Sequence, residues 1–305
     1  MKQPKRGAGR PDSIATFQAE AESNLIDFLI AAMPERSRTD IKQKLAHNQV
    51  MVNGAVTNQF DTPVSPGTVV KVNFSREFRT FYNRRLKILY EDDQIIVVNK
   101  GYGLLSMGND KVTDGTAYEL LKEWVKWQNP DNKLFIIHRL DRDTSGLMMF
   151  AKTIEAKEAM QHNWKNMVRE RKYVALVEGK PDPEEGSYRS YLAENSRYEV
   201  YSTPDPKEGK LAVTRYRTLA SRHGFSLVEL SLATGRKNQI RVHMKDLGCP
   251  ISGDRRYGAG PSPAHRMCLH AMSLKFVHPT TRRLMEFNTP VPISFEKALN
   301  GKYND

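Results

Sequence analysis

Cysteine is scarce in this chain. Its 305 residues include only Cys249 and Cys268, which form no Cys-x-x-Cys pair. That scarcity argues against a disulfide framework and a thiolate zinc site, and redox chemistry is not expected. The eight histidines show no metal-ligand spacing such as His-Glu-x-x-His. No apolar run reaches the roughly 18 residues of a membrane-spanning helix, and the N-terminal residues lack the apolar core of a signal peptide. A cytoplasmic location is the expectation. Acidic residues are also short, 35 Asp and Glu against 47 Lys and Arg, for a formal net charge of +12. This balance points to a polyanionic partner, with nucleic acid the commonest and a membrane surface the alternative.

What is present is unevenly distributed. Residues 1–90 hold 14 Lys and Arg against 8 Asp and Glu, half of the net charge in less than a third of the chain. The first 13 residues, rich in Lys, Arg, Gly and Pro, cannot bury a core, and a basic disordered tail is expected over residues 1–18. Residues 19–74 read as a small separate domain. Leu25, Ile26, Phe28, Leu29 and Ala32 have helical spacing, and Pro34 ends that helix. A second helix starts at Ser37, with Asp40 completing a short capping box and Ile41 and Leu45 on its apolar face. Val50-Met51-Val52 then meets Asn53-Gly54, a strong two-residue hairpin signal. Residues 75–87 form a linker in which Arg76, Arg79, Arg84, Arg85 and Lys87 alternate with Phe78, Phe81 and Tyr82. Such rings either stack on single-stranded RNA or dock on the neighbouring domain, and the second reading is preferred.

Residues 88–305 mix strands and helices without a βαβ repeat. Strands are predicted at Ile95–Val98, Phe135–Ile137, Leu147–Phe150, Val174–Val177 and Phe225–Leu230. Helical spacing joins Ala117, Leu120, Leu121, Trp124 and Val125, and in a second helix Ala156, Met160, Trp164 and Met167. Ile240, His243, Met244 and Leu247 mark a third, capped by Gly248. The fold class expected is α+β, a large domain around a mixed, mostly antiparallel sheet preceded by a small α/β domain. Gly101-Tyr102-Gly103 lacks the rest of a phosphate-loop pattern and is a turn. Between two of the apolar runs lies His138-Arg139-Leu140-Asp141-Arg142-Asp143-Thr144-Ser145-Gly146. Arg139 and Arg142 flank Asp141, and positive neighbours would hold its carboxylate ionised. A turn aspartate in a surface ion pair is the plain alternative.

That string resembles the signature of the RluA-type pseudouridine synthases, His-Arg-Leu-Asp-x-x-Thr-Ser-Gly. Further blocks follow in the family's order: Arg171–Val177, Thr234–His243, Pro250–Asp254 with Tyr257-Gly258, and Leu269-His270-Ala271 with His278-Pro279. The resemblance spans roughly residues 88–292. It implies an isomerase that converts uridine in RNA to pseudouridine, without a cofactor. By the same resemblance Asp141 is the catalytic carboxylate, Tyr173 stacks on the uracil and assists loss of the C5 proton, and Arg241 orients Asp141. Arg139 helps to fill the space left by an extruded uridine, and His138, Arg142 and Leu269 are assigned to substrate binding. Where the family has Thr-Gly-Arg-x-His-Gln-Ile-Arg, this chain has Asn238 for the histidine. Where it has Lys-Pro-x-Gly, this chain has Lys100-Gly101-Tyr102-Gly103, a change expected only to loosen a turn.

The helix, helix, hairpin order of residues 19–74 resembles the S4-like RNA-binding domain, with Arg38 and Lys42 as RNA contacts. Leu25 replaces the arginine common at the first helix of that domain, so a packing role competes with an RNA-gripping one. The partner is therefore RNA, from the large ribosomal subunit or else transfer RNA, with no membrane partner. The other class of function consistent with the chain is a catalytically silent RNA-binding or ribosome-assembly factor of the same fold. A hydrolase using Asp141 and Asp143 as a pair ranks third. The intact set of Asp141, Tyr173 and Arg241 favours the isomerase.

Overall fold

The computed structural model describes residues 13–108 and 114–302. Within it the chain divides into two compact units, and the division falls between Tyr82 and Asn83. No helix among the described residues is long and apolar enough to cross a membrane.

The first unit runs β1 (Ile14–Gln18), β2 (Ser23–Asn24), α1 (Leu25–Ala32), α2 (Arg38–Ala46), β3 (Val50–Val52), β4 (Ala55–Val56), β5 (Pro63–Val64) and β6 (Val69–Asn73). Both helices start where a side-chain oxygen takes an otherwise unpaired backbone N–H, Asn24 from Asp27 at 3.0 Å and Ser37 from Asp40 at 3.1 Å. Asn53 and Gly54 adopt φ of 47° and 85°, the two left-handed residues that a tight hairpin needs. Leu25, Leu29, Ile41, Leu45, Val50, Val70 and Val72 are buried in one core. Leu25 is fully enclosed, so the position that carries arginine in the S4 pattern is here a core position.

The tail is shorter than expected. Ile14–Gln18 form β1, antiparallel to β6 in the order β1-β6-β3-β4, because Ala15 and Phe17 turn inward on alternate residues and Phe17 packs on the core. The expectation for residues 1–12 lies outside the described residues. The linker is also shorter than 75–87. Asn73 Oδ1 accepts from the backbone N–H and the hydroxyl of Ser75 at 3.0 and 2.7 Å, and Leu86 already opens the next strand.

The second unit runs β7 (Leu86–Glu91), β8 (Ile95–Lys100), α3 (Ala117–Gln128), β9 (Phe135–Ile136), β10 (Ser145–Ala151), α4 (Ile154–His162), α5 (Trp164–Met167), β11 (Val168–Glu178), β12 (Glu185–Glu194), β13 (Val200–Thr203), β14 (Lys210–Arg222), β15 (Phe225–Leu232), α6 (Gln239–Asp246), β16 (Leu269–Val277), β17 (Leu284–Asn288) and α7 (Ile293–Leu299). Its sheet has the order β13-β12-β14-β15-β11-β16-β10-β8-β7, with β17 beside β16 and β9 beside β10. Among the described residues only β10 and β16 pair in parallel, so the sheet is mixed and mostly antiparallel as expected. Every residue of β10 is buried, which explains why it reads as a continuous apolar run rather than an alternating one. The single helix expected through Ala156 and Met167 is two. Asn163 ends α4 with φ −111°, and its carbonyl accepts from Asn166 and Met167 to start α5.

Candidate active site

The segment between β9 and β10 is pinned at alternate residues. The Met149 N–H donates to His138 Nε2 at 3.1 Å. Ser106 Oγ donates to the Leu140 carbonyl at 2.6 Å and lies 3.1 Å from the Leu140 N–H, for which it is the acceptor. Lys100, fully buried, donates through Nζ to the carbonyls of Arg142 (3.1 Å), Leu104 (2.7 Å) and Gly101 (3.0 Å). Burial pushes this lysine down to about 7, while three carbonyls match the three donors of an ammonium. Asp141 lies between the last two pins, and its own carbonyl accepts from the Thr144 N–H at 3.2 Å.

The segment enters the sheet through Gly146, opposite Ala271 in the parallel pair. A Cβ there would lie 2.2 Å from the Ala271 carbonyl oxygen, and φ is +113°. Only glycine permits so close an approach. On the far side of β16, Tyr173 of β11 also pairs with Ala271 and follows a bulge, where the register slips between Lys172 and Tyr173. Bulges re-aim side chains, and this one precedes the tyrosine that faces the cavity. Tyr173 is 8% exposed, and burial raises its phenol above the ordinary value against the opposing pull of Arg171.

Helix α6 brings the arginine. Asn238 precedes it in the left-handed region, φ 53°, a conformation that asparagine tolerates better than most residues. His243 ties the helix to the sheet, Nδ1 to Thr214 Oγ1 at 2.8 Å and Nε2 to Ser190 Oγ at 3.1 Å. Arg241 turns inward, with its side chain 14% exposed. It forks onto Asp254 (Nε–Oδ2 2.6 Å, Nη2–Oδ1 2.7 Å), and Nη1 donates to Asn238 Oδ1 at 3.1 Å and to Asp141 Oδ2 at 3.4 Å. Its guanidinium lies 4.8 Å from the centre of the Tyr257 ring, whose hydroxyl accepts from Asn238 Nδ2 at 3.0 Å. Burial opposes the charge on Arg241, but the bonds to Asp254 outweigh it and raise the guanidinium above its usual value.

Asp141, Tyr173, Arg241, Arg139 and Leu269 thus line one cavity of about 400 Å³, a size suited to a small ligand. The expected flanking of Asp141 by cations is corrected. Arg142 forks outward onto Asp143 at 2.9 and 3.0 Å and does not line the cavity, because successive residues of the loop project to different sides. The cation that meets Asp141 comes from Arg241 instead. His138 lines the neighbouring groove rather than this cavity. Burial first, then Arg171, pushes its ring down to about 3, so it is a neutral brace for the loop. Arg38 and Lys42 lie exposed on α2 in the first unit.

Sequence reasoning missed Asp254, Tyr257 and Lys100 as parts of this arrangement. Asp254 and Tyr257 stood inside recognised blocks, and an acid within reach of an expected arginine was the available signal. Gly101 also does more than loosen a turn. Its N–H donates to the Arg85 carbonyl at 2.6 Å, and a Cβ would lie 2.9 Å from that oxygen, so proline is incompatible here.

The chain belongs to the RNA pseudouridylate synthase family, whose model matches residues 94–246. It is an isomerase that converts uridine in RNA to pseudouridine. It is 34% identical to the RNA pseudouridine synthase YlyB of Bacillus subtilis over 91% of this chain and 93% of that one. Ribosomal large subunit pseudouridine synthase D of Haemophilus influenzae is 32% identical over 94% of this chain and 93% of its own. Among solved structures, human RNA Pseudouridylate Synthase Domain Containing 4 superposes with a TM-score of 0.58 at 26% identity, covering 70% of this chain and 92% of that one.

Proposed function

We propose that this enzyme isomerises uridines of large-subunit ribosomal RNA with Asp141 as its catalytic carboxylate. The observation that carries the catalytic reading is the approach of Arg241 to Asp141 at the wall of a cavity that also contains Tyr173. The ribosomal substrate is supported by the 32% identity to the Haemophilus influenzae synthase over nearly the full length of both chains.

In the reaction the N1–C1′ bond of uridine breaks and a C5–C1′ bond forms. C5 loses a proton and N1 gains one, so atoms balance without an electron acceptor or group donor. Asp141 starts the process at the ribose, either as a nucleophile or as the base of an elimination. Arg241 orients that carboxylate, itself held by Asp254. Tyr173 stacks on the uracil while it turns, and its hydroxyl assists departure of the C5 proton. Leu269 packs beside the base, and Arg139 fills the gap left in the RNA by the extruded nucleotide. Asp141→Asn is expected to abolish turnover while RNA affinity stays within a few-fold, since phosphate contacts lie elsewhere. Isomerisation by the pure variant would refute the assignment. Mapping pseudouridines in RNA from cells with and without the gene identifies the substrate, and a missing site outside large-subunit ribosomal RNA would correct it.

The first unit acts in this reading as an S4-like RNA-binding module. Arg38 and Lys42 stand one turn apart on the exposed side of α2, while the neighbouring Arg36 and Lys44 pair with Asp40. Replacing both with glutamine should lower the slope of log Kd against log salt by about two, roughly one per phosphate contact. An unchanged slope would leave the unit a packing role.

A further inference from the structure

Beside the cavity of Asp141 lies a larger groove of about 780 Å³. The two share Arg139, Tyr173, Leu232, Gly235 and Arg236, so they adjoin along these residues. The groove continues past Trp164 and Lys165 on α5. Among the described residues four Lys and Arg line it, Arg139, Lys165, Arg171 and Arg236, and no carboxylate does. None of the four forms an ion pair among the described residues. Cations nearby are neutralised differently, for Lys172 meets Glu170, Arg142 meets Asp143 and Lys237 meets Glu194. A basic surface is commonly a solvated face with interspersed acids. This groove keeps its positive charge open.

Arg171 is braced on two sides. Its guanidinium lies 5.4 Å from the centre of the Trp164 ring, and Trp164 packs at 5.3 Å against His138. On its other side lies Gly235, where a Cβ would stand 2.8 Å from Arg171 Nη1. Glycine at 235 therefore leaves room for the arginine to lie across the loop. A guanidinium held in this way surrenders little further freedom when it takes an anion. Fixed cations beside an aromatic ring, continuous with a nucleotide cavity, match a phosphodiester strand with its bases.

We infer that this groove is a subsite for the RNA segment adjoining the target uridine, with Arg171 and Lys165 on its phosphates. The inference rests on the reading of the Asp141 cavity as the uridine site and adds the direction in which the strand leaves it. The probe is a short RNA hairpin containing a uridine that the full-length enzyme converts. Arg171→Gln and Lys165→Gln should each lower the slope of log Kd against log salt by about one. Lys297→Gln, on α7, should keep the wild-type slope. Methylphosphonate at one linkage beside the uridine should weaken binding by the wild type but cost Arg171→Gln nothing further. Lys165 is exposed on its short helix, so its variant reports even if Arg171→Gln disturbs packing. Wild-type slopes in both glutamine variants overturn the inference, as do equal methylphosphonate penalties in the two proteins. A drop in either slope with unequal penalties upholds it. Wild-type slopes with turnover still dependent on Asp141 would remove the groove alone. Turnover by Asp141→Asn would remove the catalytic reading alone.

Discussion

Arg241 gives its two shortest bonds to Asp254 and only a 3.4 Å contact to Asp141. The division has a physical logic, because the side chain of Asp254 is 2% exposed and cannot find water, whereas that of Asp141 is 31% exposed and open to the cavity. The buried acid fixes the fork, and the fork presents one of its other N–H groups to the Asp141 carboxylate. Lysine cannot serve two acids and an amide in this geometry, so Arg241→Lys should lower the single-turnover rate by on the order of 10²-fold. A near-normal rate would return Arg241 to a structural brace. Asp254→Asn strips the buried guanidinium of its main partner and should destabilise the second unit by on the order of 3 kcal/mol. Urea unfolding checks this, and an unchanged midpoint would show that Asn238 and Asp141 suffice to hold the charge.

At the scale of elements, the site depends on where strands and a helix begin. Strand β10 comes so close to β16 at Gly146 that Gly146→Ala must displace backbone rather than a flexible side chain. That change should cost about 3 kcal/mol, read as a lower urea midpoint with an unaltered m-value. A variant as stable as the wild type would mean that the two strands separate freely there. Helix α6 begins on a left-handed Asn238 whose amide also bridges Arg241 and Tyr257. In sequence this asparagine is merely a replacement for the family's histidine. Its backbone angle and both hydrogen bonds emerge only when α6, the Asp254 turn and Tyr257 come together.

At the scale of the whole molecule, three imidazoles, His243 and His270 buried and His138 half-buried, tie stability to pH. Burial lowers His138 to about 3 and His243 and His270 to about 4, from an ordinary 6.5. Between those values and 6.5 the unfolded chain binds protons that the native protein refuses. The contribution is therefore complete above pH 6.5 and falls as pH drops toward 4. The urea midpoint of the second unit should be lower at pH 5 than at pH 7.5, and equal midpoints would mean that these rings ionise in the native state. The same scale separates what was legible in the sequence from what was not. The Ser37-capped helix, the Asn53-Gly54 hairpin and the buried β10 follow from the chain alone, because caps, turns and apolar periodicity act within about ten residues, and the blocks around Asp141, Tyr173 and Arg241 stand out by their resemblance to a family. The short tail, the break at Asn163, the outward turn of Arg142, the burial of Lys100 and the grip of Asp254 on Arg241 do not. Each depends on strand register and on groups as far apart as Asp141 and Arg241, which neighbouring residues do not encode. The sequence by itself determined the family to which the chain belongs and the blocks that match it. Only the tertiary structure decided which cation meets which carboxylate, because an arginine among several acids pairs according to burial and reach, and both are properties of the packed sheet.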